Sequence, residues 1–150
     1  MRKEIKFKVF FKDLGKLYSW IFNSSFKKSY PSRSVNSLYY DTPNLDFATC
    51  NISGETKRIK IRARWYTKFE DDFFKSFYAK NQNFRFEIKR KRNILSDKKI
   101  LSEAKFDTED SIANRRIQLR KLIRSHILKD NNLSKLIIDD VVFVRYEREY

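Results

Sequence analysis

The chain has 150 residues and a formal net charge of +15, from 34 Lys and Arg against 19 Asp and Glu. A hydrophobic content of 41% with 14 Phe and 8 Tyr demands one packed core and excludes a disordered polyelectrolyte. Only two Gly, two Pro and a single Cys interrupt the sequence, which excludes a disulfide-stapled, loop-rich scaffold. No window approaches the roughly 20 apolar residues of a membrane helix, and the start, MRKEIKFKVF, lacks the apolar stretch of a secretory signal. One cytoplasmic domain spanning 1–150 is therefore expected.

Residues 2–11 alternate with Arg2, Glu4 and Lys6 on one side and Ile5, Phe7 and Val9 on the other, the period of a strand. Asp13 then precedes Leu14, Leu17, Trp20 and Ile21, so 13–22 reads as a short amphipathic helix with an acidic cap. A second strand runs from Ser34 to Tyr40 and is stopped by Asp41-Thr42-Pro43-Asn44. The clearest strand is Arg58 to Tyr66, where Arg58, Lys60, Arg62 and Arg64 alternate with Ile59, Ile61, Ala63 and Trp65. Residues 67–83 give no readable period. From Phe84 to Asn93 alternation resumes, with Arg85, Glu87, Lys89 and Lys91 opposite Phe84, Phe86 and Ile88. Residues 108–129 have helical spacing, one or two helices with Asp107 or Thr108 as the cap, and an apolar run from Leu136 to Val144 leads into a last strand.

Four cations along one strand face sit about 7 Å apart and repel one another, so the row calls for solvent or an anion. Lysines that guard a strand against edge pairing would explain one such row, but several rows point to a polyanion. Nucleic acid, anionic lipid and phosphate chains all carry the right sign. Arginine holds two phosphate oxygens at once, which makes Arg62 and Arg64 the first candidates for a phosphate clamp. Arg58, Lys60 and Lys91 extend the same rows. Glu4 and Glu87 fit either pairing with neighbouring cations or, for Glu4, a role in holding Mg²⁺ or Mn²⁺. There is no Gly-rich phosphate loop, no Cys and His cluster of metal-ligand spacing and no recognition-helix or RNP pattern. His126 is expected on the surface of a helix, and Cys50 after a loop.

Five blocks, RKEIKFKV at 2–9, SLYYDTPNLD at 37–46, GETKRIKIRARWY at 54–66, FEIKRKRN at 86–93 and RYEREY at 145–150, resemble in order the VTC domain. That domain is the polyphosphate polymerase of vacuolar transporter chaperone type, within the triphosphate tunnel metalloenzyme superfamily. The resemblance implies an α+β fold, an antiparallel eight-stranded β tunnel with helices packed outside. Its inward cations hold ATP and the growing polyphosphate while a divalent metal, Mn²⁺ or Mg²⁺, assists phosphoryl transfer. Lys6, Arg62, Arg64, Lys89 and Arg148 match the family's basic positions, with Arg62, Arg64 and Lys89 expected at the reacting phosphate and Lys6 and Arg148 along the substrate, where Lys60, Lys91 and Arg58 of the same rows join them. Such domains continue past the RYEREY-type block with strands that bring a further arginine, a metal-binding glutamate and a lysine. The resemblance therefore implies the N-terminal two-thirds of the domain, with an incomplete tunnel and strand edges open to self-association. A triphosphatase of the same superfamily and a nucleic-acid-binding module are the alternatives, nucleic acid being the less expected partner.

Overall fold

The structure, a computed structural model, describes residues 8–27, 30–93 and 95–148. The described residues fall into two compact units, one up to residue 31 and one from residue 32 onward. In the first, a 3-10 turn over Phe11–Asp13 leads into helix α1, Leu14–Phe22. The turn closes where the Asp13 N–H donates to the Phe10 carbonyl at 2.9 Å. Residues 8–10 carry no regular structure, so the strand expected over 2–11 does not reach its second half, and its first part, with Arg2, Glu4 and Lys6, lies outside the described residues. The helix expected over 13–22 is present. Asp13 precedes it without a side-chain cap bond, pairing instead with Lys16 at 3.5 Å.

The second unit is a five-stranded antiparallel sheet in the order β4-β3-β2-β1-β5. Its strands are β1 (Arg33–Asp41), β2 (Lys57–Thr67), β3 (Gln82–Arg92), β4 (Leu95–Phe106) and β5 (Asp139–Arg148). Helix α2 (Asp46–Ile52) joins β1 to β2, α3 (Phe73–Tyr78) joins β2 to β3, and α4 (Ile112–Ile127) carries the chain from β4 at one edge to β5 at the other. The sheet is open among the described residues, so the α+β class holds while the closed eight-stranded tunnel is not seen.

Alternation in β2 and β3 works as the sequence dictates. Ile61, Ala63, Trp65, Phe84, Phe86 and Ile88 point to one face, where they are buried against Leu119, Ile123 and Ile127 of α4 and Phe77 of α3. Trp65 is the centre of this layer. Its ring lies 5.3 Å from those of Phe77 and Phe84, and its indole N–H donates to Ser76 Oγ at 3.0 Å. Each such side chain removed from water contributes roughly 1.5 to 3 kcal/mol, which commits the odd residues of β3 and the even residues of β2 to the opposite face.

Two connections behave differently from the sequence reading. Ser111, not Asp107 or Thr108, caps α4: its Oγ accepts the Asn114 N–H at 3.1 Å while Asp110 Oδ1 accepts the Ser111 N–H at 2.7 Å. The segment 108–129 yields one helix. Asp72 likewise caps α3, accepting from the Lys75 N–H at 2.7 Å. Asp41, buried at the end of β1, accepts backbone N–H bonds from Thr42, Phe47 and Ala48 at 2.8 to 2.9 Å and so fixes α2 to the strand it follows. Cys50 lies inside α2 rather than after a loop.

Candidate functional site

The face of the sheet away from the helices carries the cations. Strand register sets their neighbours: Arg58 lies opposite Lys91, Lys60 opposite Lys89, Arg62 opposite Glu87 and Arg64 opposite Arg85. On the other side of β3, Lys89 lies opposite Lys98 and Arg85 opposite Glu103. Lys60, Lys89 and Lys98 thus form a row across three strands, with side chains starting about 5 Å apart. Arg58, Arg62 and Arg64 extend it along β2 in steps of roughly 7 Å.

Glu87 is the hub. It is 1% exposed, and its Oε2 accepts from Arg62 Nε at 2.9 Å and Nη2 at 2.7 Å, with Arg64 Nη1 3.8 Å away. Lys98 Nζ lies 2.6 Å from its Oε1. Burial alone would raise the carboxyl's pKa; the bonds from Lys98 and Arg62 and the charges of Arg62 and Arg64 overcome that and hold it below the ordinary glutamate range. The pairing alternative for this glutamate is therefore the one realised. Arg62 gives its third contact from Nη1 to the Tyr39 hydroxyl at 3.0 Å. Burial works against its charge, but Tyr39 and Glu87 raise its pKa above the usual arginine value. Of the five N–H donors of a guanidinium, three are engaged in these bonds and two are left for a ligand.

The remaining cations are not spent in this way. Lys60 and Lys89 are exposed and make no ion pair among the described residues, and neither do the half-buried Arg58 and Lys91. Arg64 is 8% exposed, and its Nε has no hydrogen-bond partner. Ser37, its cross-strand neighbour, is also buried with an unpartnered hydroxyl. Two unsatisfied polar atoms side by side on a cationic face are costly unless a ligand or water reaches them.

Of the residues expected at the reacting phosphate, Arg62, Arg64 and Lys89 come together, and Lys60, Arg58 and Lys91 join them. Arg148 does not. It faces the same side but pairs in register with Arg33, six residues along β1 from the Tyr39 that faces Arg62, or roughly 20 Å. Lys6 and Glu4 lie outside the described residues. Lys98 and Tyr39 belong to the site and were not expected, because β4 was not read as a strand and Tyr39 carries no charge. His126 is on the other face. It is half-buried, its Nε2 2.8 Å from Ser102 Oγ, so it is not the surface residue expected.

A divalent cation finds no ligand set among the described residues, where no three His, Cys, Asp or Glu side chains converge. The two carboxylates described on the cationic face are both occupied, Glu87 as above and Glu103 by Arg85 at 2.7 Å. These residues do not fit a resident metal.

The family model of the VTC domain matches residues 1–147. No curated protein and no solved structure matches the chain. With that match covering nearly the whole sequence, the chain belongs to the VTC domain family, which is associated with polyphosphate metabolism.

Proposed function

We propose that the cationic face binds the triphosphate of ATP and a polyphosphate chain and promotes transfer of the terminal phosphoryl group to that chain. The observation that carries this reading is the row Lys60, Lys89 and Lys98, continued by Arg62 and Arg64 and anchored on one buried carboxylate. Phosphoryl transfer needs little covalent chemistry from the protein; it needs charge placed around the moving phosphate. Lys60 and Lys89 supply mobile positive charge, and Arg62, fixed by Glu87 and Tyr39, supplies two oriented N–H groups. In the tunnel reading, this face forms one wall around the polymer. Mn²⁺ or Mg²⁺ arrives in this proposal on the nucleotide's own phosphates, since the described carboxylates are engaged.

Transfer is favoured over hydrolysis by the same carboxylates. A terminal polyphosphate oxygen is already anionic near neutral pH, so it attacks without a base, whereas hydrolysis requires a water to be oriented and deprotonated. Glu87, held ionised by three cations, is a poor proton acceptor. The test is incubation of the chain with ATP and Mn²⁺, with products resolved on a gel. A ladder of polymers supports the proposal; free phosphate alone assigns a triphosphatase. Tighter binding of duplex DNA than of polyphosphate, in titrations at moderate salt, would instead make this a nucleic-acid module.

A further inference from the structure

At the end of the sheet where β1 runs into α2, a cavity of about 230 Å³ opens beside the cationic row. Its walls are apolar: Phe47, Ala48 and Ile52 of α2, Ile59 of β2, and Val141 and Val142 of β5. Ile52 is 88% exposed, and Val141 and Val142 are 42% and 49% exposed, so its rim keeps apolar surface in water that no core requires. Two of its lining residues belong to the cationic face. Lys60 is a member of the lysine row, and Tyr39 is the phenol that Arg62 grips. The Arg62 bond fixes the Tyr39 hydroxyl and with it the ring. Asn51 also lines the cavity; its Nδ2 donates to the carbonyls of Phe47 and Ile59 at 2.7 and 3.0 Å, which leaves Oδ1 as a free acceptor.

We propose that this cavity seats the nucleobase of the nucleoside triphosphate whose phosphates lie on the cationic face. The inference rests on the proposed phosphate binding and adds a subsite to it. Volume selects the occupant, since pockets for whole drug-sized ligands run from roughly 300 Å³ upward and this one suits a single heterocycle. Continuity selects it as well. Lys60 bounds both the cavity and the row, so a flat apolar group in the cavity has its linked anionic chain leaving directly along Lys60, Arg62 and Arg64, roughly 13 Å in all. An aromatic wall, aliphatic sides and one amide acceptor match a base that stacks and carries amino hydrogens. An inorganic polyphosphate has nothing to place there.

The experiment compares ATP with methyl triphosphate, which has the same phosphates and no base, by titration calorimetry at one ionic strength. The intact chain is expected to bind ATP about tenfold more tightly, the scale of one base stacked on an aromatic wall. Ala48→Phe fills the cavity and should reduce ATP to the affinity of methyl triphosphate while leaving methyl triphosphate unchanged. Ile52→Ala, at an exposed rim position that cannot unfold the core, should lower the ATP preference by about threefold, the loss of part of one apolar wall. Equal binding of the two ligands by the intact chain overturns the inference and leaves the phosphate site standing. An ATP preference untouched by both substitutions also overturns it. Failure of both ligands to bind overturns the phosphate reading and this subsite together.

Discussion

Both faces of the sheet carry arginines and lysines, and the two faces use them in opposite ways. Beneath the sheet, five arginines close to the core are engaged by acceptors of the fold. Arg116 and Arg120 of α4 bind the buried Asp140 of β5 at 2.6 Å, and Arg90 pairs with Asp130. Arg145 donates to the carbonyls of Phe69 and Asp71. Arg115, fully buried, donates to the carbonyls of Tyr78 and Thr108 and lies 4.1 Å over the Phe106 ring. Arg116, Arg120 and Arg90 fasten α4 and the turn after it to the sheet, and Arg145 holds the loop before α3. On the other face Glu87 and Glu103 answer Arg62, Arg64, Lys98 and Arg85, and Lys60 and Lys89 are left without an anion among the described residues. Net charge alone would not separate the two sets. What separates them is whether each cation already has its acceptor.

The comparison can be broken most severely at Glu87, the one place where the ligand face behaves like the core. Glu87→Gln leaves Arg62, Arg64 and Lys98 without their shared anion and should cost about 4 kcal/mol, the scale of a broken buried pair, read as a shift in urea midpoint. The effect depends on pH with a definite sign. The Glu87 carboxyl is depressed in the folded chain, so its contribution is present above the unfolded value near 4.5 and disappears as pH falls through the lower folded value. The gap between the two proteins should therefore shrink on acidification from pH 7 toward 3. A constant gap would mean that shape, not charge, is what Glu87 supplies.

Arg115→Met comes next, with an expected cost of about 2 kcal/mol from the lost carbonyl bonds. Polyphosphate affinity should not change, because Arg115 lies beneath the sheet, away from the proposed ligand face. On the ligand face, Lys60→Ala and Lys89→Ala should do the reverse. Each is expected to weaken polyphosphate binding about tenfold while altering stability by less than about 0.5 kcal/mol, since exposed like charges are being removed. Arg64→Ala should weaken binding to a similar extent. Arg90→Ala, committed to Asp130, and Arg92→Ala should leave affinity within about twofold, the smallest effect in the set. Equal losses for all of these would show a diffuse attraction with no distinction between faces.

Much of this division could be read from the residues. Arg58 to Tyr66 states both faces of its strand, because Ile61, Ala63 and Trp65 are fully buried and every second position is bound to the core. Phe84 to Ile88 does the same, and the register of the two strands then brings Arg62 to Glu87. Helix α3 was hidden because six residues with Phe73, Phe74 and Phe77 show no turn-by-turn period, although Asp72 three residues before Lys75 was a cap signal in plain view. The cap of α4 was read as Asp107 or Thr108, and the bond from the Asn114 N–H places it at Ser111 instead. Tyr39 carries no charge to mark it in the sequence. Its part in the site follows from a cross-strand partner that local sequence cannot name.

Strand β4 was missed for a different reason, and that reason has a consequence for how the site can vary. Ser102 and Lys98 are four residues apart and in a regular pleat would share a face. Yet Ser102 reaches His126 below the sheet, and Lys98 reaches Glu87 above it. Between them the register slips by one, leaving Leu101 without a cross-strand partner of its own. The strand therefore contains a phase change, and any search for a period of two cancels itself across it. The same phase change makes β4 two independent addresses on one strand. Even-numbered residues 96, 98 and 100 face the ligand side before the slip, odd-numbered 103 and 105 face it after, and a substitution in one half leaves the facing of the other intact. Removing one residue from the stretch 96–99 would move Lys98 or its successor onto the wrong side, so this first half of the strand tolerates exchange of side chains far better than it tolerates a change of length.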